Sequence, residues 1–218
     1  MSSRIPALER FLMELQEAVG RAAYASGSRL GSEELRVVAG VDAAYGGGFM
    51  AAAAVSWSLE SREIVDEAIH VCEPPYPYIP GLLFLREGAP MLEAVKRLGG
   101  GWQLLLVDAH GVLHPRRAGL AVFLGFILDR PTLGVAKRLL VGVEEGEGEV
   151  REVRLDGEVL GYGFHPPSSR KFYVSPGYGV AVEEVPRIIS DMGGGYPEAL
   201  READRLSREK IGEILGSR

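Results

Sequence analysis

Between Trp102 and Lys137 the chain reads WQLLLVDAHGVLHPRRAGLAVFLGFILDRPTLGVAK, and this stretch decides the fold. Trp102 to Val107 is a nearly unbroken apolar run, the pattern of a central strand covered on both faces. It ends abruptly in Asp108. A polar loop then leads to a helix expected from Arg117 to Leu128, and Thr132 to Ala136 forms a short strand that runs straight into Lys137 and Arg138. Strand, helix, strand is the unit from which parallel sheets are built.

Upstream, Arg36 to Ala44 is an apolar strand, Gly46 to Gly48 a turn, and Phe49 to Leu59 and Glu63 to Cys72 two further strands, which together predict an antiparallel meander. Glu73 to Pro80 is rich in proline and tyrosine. It lacks the amide donors of a central strand and should be a rigid surface loop, followed by a helix from about Gly81 to Leu98. Before the meander, Leu8, Phe11, Leu12, Leu15, Val19, Ala22 and Ala23 recur at helical spacing, so an amphipathic helix packed on the body is expected from Pro6 to Ala25. Downstream, strands are expected near Val150 to Leu155, Glu158 to Gly163 and Lys171 to Ser175, and helices from about Tyr178 to Asp191 and Tyr196 to Leu215. Glu144 to Glu149 reads as a solvated acidic loop. Gly99 to Gly101 and Gly193 to Gly195 are short enough to be helix stops rather than linkers. A three-stranded meander followed by helix, strand, helix, strand is the order of the ribonuclease H-like α/β fold, a mixed sheet flanked by helices.

The chain has 218 residues, of which 46% are hydrophobic, so it can bury a sizeable core, and one domain with an N-terminal helix is expected over 1–218. No apolar run of membrane-spanning length and no signal-peptide pattern is present, since Met1 to Arg10 is polar and charged; a cytoplasmic protein without membrane attachment is expected. Cys72 is the single cysteine, which excludes an internal disulfide and a thiolate zinc cluster. The formal net charge of −6 gives no global attraction to a polyanion. Any nucleic-acid binding must come from a local basic patch and a bound cation. Asn is absent, Gln occurs only at 16 and 103, and Arg and Glu dominate the charged residues, a bias that fits a thermophilic source.

Asp42 and Asp108 each follow apolar residues in expected strands, where an unpaired carboxylate is costly to desolvate. If their strands are neighbours the two side chains converge, and Glu87, from the first turns of the intervening helix, can reach the same point. Like charges about 4 Å apart repel by about 4 kcal/mol at an effective dielectric near 20, so such a cluster protonates or recruits a cation. Oxygen-only ligation points to Mg2+, with Mn2+ as a substitute. Taken singly, each acid also has an ordinary reading: Asp42 before a glycine turn, Asp108 as a cap, Glu87 on a solvated helix face.

At Pro77, Tyr78, Ile79, Pro80 and Gly81, followed by Phe84, Arg86 and Glu87, the chain resembles the endonuclease V family. Asp108, His110, Gly111, His114, Pro115, Arg116, Arg117 and Gly119 are similar to a second family signature, and PTLGVAK, from Pro131 to Lys137, to a third. Val41, Asp42 and Tyr45 match the first-strand motif, and Ser175, Pro176 and Gly177 a late turn, so the resemblance runs as ordered blocks from Val37 to Asp204. It implies metal-binding carboxylates at Asp42, Glu87 and Asp108 and a basic residue near the scissile phosphate at Lys137. A fourth position falls on Asp204, in a weaker motif where Ala199 and Leu200 replace the usual Pro and Thr; a solvated helix aspartate fits there as well.

The resemblance further implies a wedge, Pro77 to Pro80, that enters the duplex where a damaged base is rotated out. The prolines pre-set the loop, and stacking one base on Tyr78 is worth about 1–3 kcal/mol. A stiff connector would look the same. The implied lesion is deoxyinosine, read in a pocket whose counterparts are Gly81, Ala109, Gly111 and Gly134, and Ala109 and Tyr178 depart from the family's usual Gly and His or Asn. His114, Arg116, Arg117 and Lys137 are candidate phosphate contacts, with Arg130, Arg138, Arg170 and Lys171 around them. The implied reaction is hydrolysis, by a metal-activated water, of the second phosphodiester 3′ to the lesion, leaving 3′-hydroxyl and 5′-phosphate ends. The implied partner is DNA containing deaminated bases, and a monomer is expected. Two rival readings use the same residues: a nuclease acting on inosine-containing or hybrid RNA, and a module that clamps distorted DNA without cutting it.

Overall fold

A computed structural model describes residues 7–30, 34–167 and 170–217. Met1 to Pro6, including the first residue of the expected N-terminal helix, lie outside them. The elements are α1 (Ala7–Ala25), β1 (Val37–Gly46), β2 (Phe49–Ser58), β3 (Glu63–Cys72), a π-helical segment (Phe84–Gly88), α2 (Ala89–Lys96), β4 (Leu104–Val107), α3 (Leu120–Leu128), β5 (Thr132–Ala136), β6 (Val143–Glu145), β7 (Val150–Leu155), β8 (Glu158–Phe164), β9 (Phe172–Tyr178), a 3-10 turn (Val182–Glu184), α4 (Val185–Asp191) and α5 (Glu198–Gly216). The strands form a nine-stranded sheet in the order β3-β2-β1-β4-β5-β9-β8-β7-β6. The first five strands in that order are the ribonuclease H-like sheet expected above: an antiparallel meander whose β1 pairs in parallel with β4, which pairs in parallel with β5. The last four are an antiparallel extension.

Both faces of the central strands are covered, which is why β4 is wholly apolar, β5 is apolar but for Thr132, whose hydroxyl donates to the carbonyl of Ala121, and both are fully buried. On one face Ala39, Val41, Leu105 and Val107 pack against α2 and α3. On the other Val38, Leu104, Leu106, Leu133 and Val135 pack against α4 and α5. Gly40 lets α5 cross β1 at contact distance, since a Cβ there would lie 2.5 Å from the carbonyl of Ala199.

Several expectations are corrected. Only the C-terminal part of the apolar stripe of α1 packs on the body: Val19 and Ala23 do so, Leu8, Phe11 and Leu15 are exposed, and Gln16 and Gly20 are buried in their place. The helix expected from Gly81 begins as π-helix, because Pro90 has no N–H to give to the carbonyl of Arg86 and the wider turn precedes it. The helix expected from Arg117 begins at Leu120, since Arg117 is left-handed (φ 53) and Gly119 is extended. The helix expected from Tyr178 begins at Val185; Tyr178 instead ends β9, paired with Thr132. Glu144 does not sit in a solvated loop. It lies in β6, accepts a hydrogen bond from Tyr173 Oη at 3.0 Å, and pairs with His165 and Arg151. Among the described residues no helix is long and apolar enough to cross a membrane.

Candidate active site

Strand parity places the chemistry. Side chains alternate along a strand, so Val38 and Gly40 lead to Asp42, Leu104 and Leu106 to Asp108, and Leu133 and Val135 to Lys137, all on the α4–α5 face. Three adjacent parallel strands thus deliver two acids and a lysine to the carboxyl edge of the sheet, the customary position of a site in such folds.

Asp42 is buried, and its Oδ1 accepts a hydrogen bond from the amide of Ala43 at 2.7 Å. Burial and the neighbouring charge of Asp108 push its carboxyl up to about 9. Asp108 Oδ2 accepts from Lys137 Nζ at 2.8 Å, and its Oδ1 accepts from Tyr196 Oη at 3.3 Å. Burial works against the charge on Lys137, but the hydrogen bond and charge of Asp108 outweigh it and hold the ammonium above its ordinary value. Glu87 reaches the site from the other face of the sheet. It accepts from Tyr45 Oη at 2.7 Å, and burial, with the charge of Asp108, raises its carboxyl.

Asp42 and Asp108 are therefore the directly interacting pair, with Glu87 beside them. Among the described residues no three acid, histidine or cysteine side chains are gathered into a ready-made metal cage. The donor set nevertheless suits magnesium, which binds through one or two carboxylates with water and substrate phosphate completing its shell. A buried carboxyl that burial and a neighbouring carboxylate hold in its neutral form marks a place where a dication relieves the repulsion. Asp204, on α5, is near enough for its charge to act on Lys137 and Tyr196, but its Oδ1 accepts from Arg208 Nε at 2.9 Å.

A cavity of about 370 Å3 is lined by Asp108 and Lys137, but not by Asp42, Glu87 or Asp204. Asp108, Ala136 and Lys137 form one side, Gly81, Ala109 and His114 contribute others, and Tyr78, 64% exposed, stands at its edge. Gly111 and Gly134, expected in this pocket, are not in its wall. They pack backbone against backbone: a Cβ on Gly134 would lie 2.2 Å from the amide of Gly111, and one on Gly111 would lie 2.0 Å from the carbonyl of Pro176. A larger groove, about 1230 Å3 between α1 and the Gly179–Glu183 stretch, touches none of Asp42, Glu87, Asp108 or Lys137.

The arginines expected on phosphate are mostly committed elsewhere. Arg116 donates to Gln16 and to the carbonyl of Gly81, Arg117 pairs with Asp156 and Glu158, and Arg130 stacks on Trp102 at the far end of β4. Tyr178 is equally remote, donating to Asp129 beyond the N-terminal end of β5. His114 is buried, accepts from the amide of Arg116 and has its ring pushed down to about 4, chiefly by burial. Lys137, Arg138, Arg170 and Lys171 remain exposed.

Tyr196, Tyr45 and Arg86 were not expected in a role. Tyr196 follows a glycine run that gave no hint of α5 packing on β1, and burial with the charge of Asp108 raises its phenol. Arg86 stacks on Tyr45 at 4.6 Å and donates to the carbonyl of Tyr76, tying the proline-rich loop to the acid site.

The sequence profile of Endonuclease V matches residues 22–205. The chain belongs to the endonuclease V family. The Endonuclease V of Methanopyrus kandleri is 41% identical over 191 residues, covering 84% of this chain and 82% of its own. The crystal structure of the catalytic domain of human Endonuclease V is 30% identical and superposes with a TM-score of 0.84 over 97% of this chain and 99% of the human one. The Endonuclease V of Ciona intestinalis, solved with a 24mer DNA containing an inosine followed by a ribo-adenosine, shares the fold at 22% identity, with a TM-score of 0.82 over 96% of this chain and 100% of that one. As a member of this family the chain is a nuclease that acts in DNA repair.

Proposed function

We propose that this chain nicks DNA carrying deoxyinosine by Mg2+-dependent hydrolysis, with Asp42 and Asp108 as the principal metal ligands and Glu87 completing the acid set. The observation that carries this reading is the row Asp42, Asp108, Lys137 at the carboxyl edge of three parallel strands, of which Asp108 and Lys137 also line a cavity that an exposed tyrosine borders. When bound, magnesium, or manganese in its place, supplies a Lewis acid for the phosphate oxygens and makes water a stronger nucleophile. Asp108 is held in place by Lys137 and Tyr196, and Glu87 by Tyr45, so the acids lose little freedom when a substrate arrives. The ammonium of Lys137, with 55% of its side chain exposed, meets a phosphate oxygen at the rim while it holds Asp108. Asp204 completes the shell or orients water once it is released from Arg208.

Tyr78 enters the duplex and stacks on the base next to the lesion, and the rotated base occupies the cavity. At about 370 Å3 the cavity lies in the lower part of the range for small-ligand pockets, about 300–1,000 Å3. Ala109 in its wall carries a methyl that narrows it relative to a glycine. Inosine-containing DNA is the ligand held by the Ciona intestinalis protein of the same fold, and the ribonucleotide in that DNA makes inosine-containing RNA the first control.

The deciding experiment is nicking of a duplex with one deoxyinosine, mapped to the nucleotide, with and without magnesium. Cleavage at the second phosphodiester 3′ to the lesion, leaving 3′-hydroxyl and 5′-phosphate ends and abolished by chelation, supports the proposal. Activity that survives chelation, or clear preference for inosine-containing RNA in a parallel assay, overturns it.

A further inference from the structure

The base of the Pro77–Pro80 loop is tied to helix α1 by two side chains. Gln16, 1% exposed, donates from Nε2 to the carbonyl of Gly81 at 3.2 Å and to that of Ala118 at 2.5 Å. Its Oε1 accepts from Arg116 Nε at 2.6 Å, and Arg116 Nη2 returns to the same Gly81 carbonyl at 2.7 Å. Gly81 is left-handed (φ 79), and a Cβ there would lie 2.6 Å from the Arg116 guanidinium, so only glycine both turns the chain and admits the bridge. One turn further along α1, Gly20 seats the helix directly on the carbonyls of Arg116 and Arg117.

An amphipathic helix held by the hydrophobic effect buries its apolar stripe. α1 leaves Leu8, Phe11 and Leu15 exposed and buries a glutamine. Every polar atom of that glutamine is used within the protein, so it does not read a base by itself. It organises two segments that line the cavity: the Tyr78 loop on one side and the His114–Gly119 segment on the other. Gln16 also lies before the stretch matched by the family profile, which begins at residue 22.

We propose that Gln16 is a positioning residue for lesion recognition: by bridging Gly81 to Ala118 with Arg116, it fixes the two walls of the base cavity relative to each other and makes α1 part of the substrate site. This rests on the reading that Tyr78 enters the duplex at a deaminated base. Breaking the bridge leaves buried carbonyls and a guanidinium underused, and a loop that is no longer pre-set must be ordered when substrate binds. The loss falls on binding, not on the chemical step.

The test is Gln16→Met, which keeps the shape and removes the hydrogen bonds. On deoxyinosine duplex its KM should rise on the order of tenfold, with kcat within about twofold. Amide hydrogen exchange of Tyr78, Ile79, Gly81 and Leu82, read without substrate, should quicken. Combined with Tyr78→Ala the effects on KM should not add, because both act through one loop. Unchanged KM and exchange, or fully additive effects, overturn the proposal. If Gln16→Met does not fold, Arg116→Lys, which keeps the charge and loses the bond from Nε, faces the same readouts. Failure of the substrate reading is distinguishable: wild type then shows no preference for the deoxyinosine duplex, whereas a wild type that discriminates beside a Gln16→Met that binds equally well removes this proposal alone.

Discussion

At the scale of the residue, the site is two neighbouring acids with unequal support. Asp108 accepts hydrogen bonds from Lys137 and Tyr196, whereas Asp42 has one amide and the more distant charge of Lys137, which do not offset burial and the charge of Asp108, and it is pushed up to about 9. Asp108→Asn should lower single-turnover nicking of a deoxyinosine duplex at least about a hundredfold. Stability should stay within about 1 kcal/mol, because the lysine left behind is more than half exposed and such pairs are worth little. A variant that cuts normally, or one that is largely unfolded, contradicts the assignment. His114 makes a different prediction. Its folded-state pKa is depressed to about 4, so below about 6.5 the unfolded chain takes up a proton that the folded chain refuses. The stability it contributes is complete above pH 6.5 and is lost as pH falls towards 4, on the order of 3 kcal/mol in all. Denaturant unfolding at pH 7 and at pH 4.5 should therefore show His114→Gln losing less stability on acidification than wild type. Parallel losses in the two proteins would assign the acid limb to other groups.

At the scale of the element, the site depends on how closely helices approach strands. α5 brings Asp204 to the acid edge only because Gly40 presents no side chain to Ala199 and Leu200. Gly40→Ala puts a methyl 2.5 Å from rigid backbone, so β1 and α5 must separate. The expected cost is about 1–3 kcal/mol of stability, with a fall in nicking, because overpacking here moves the elements that carry Asp42 and Asp204. A thermal melt and a nicking assay on the same sample check it, and an unchanged Tm would mean that the contact is looser than drawn. The π-helical turn at Phe84–Gly88 is a second device of this kind, setting Glu87 opposite Tyr45 where the amide-less Pro90 interrupts regular helix.

At the scale of the whole molecule, much of the fold was legible because β4 and β5 are covered on both faces, an environment that favours apolar runs and admits Thr132 only with its hydroxyl bonded to Ala121. That Asp108 and Lys137 stand at neighbouring strand ends was legible because each stops such a run; the role expected of Lys137 came from the resemblance alone. The rest depends on distant partners. Nothing local to Arg116 announces a bond to a glutamine 100 residues away, nothing in the acidic stretch announces that Glu144 holds His165 and Tyr173, and the glycines before Tyr196 conceal its bond to Asp108. These partnerships change what the molecule offers to DNA. A chain of net charge −6 whose Arg116, Arg117 and Arg130 are engaged internally presents mainly Lys137, Arg138, Arg170 and Lys171 at this end of the sheet. Each phosphate neutralised contributes about −0.9 to the slope of log affinity against log salt. Binding of a deoxyinosine duplex, measured in calcium to prevent cutting, should therefore fall with a slope of about −2 to −4 between 50 and 200 mM salt. Lys171→Ala should make that slope shallower by about one while leaving the preference for deoxyinosine unchanged. A slope near −8 would mean that the internally paired arginines open towards the phosphates when DNA binds, and that the free protein is not the conformation that holds its substrate.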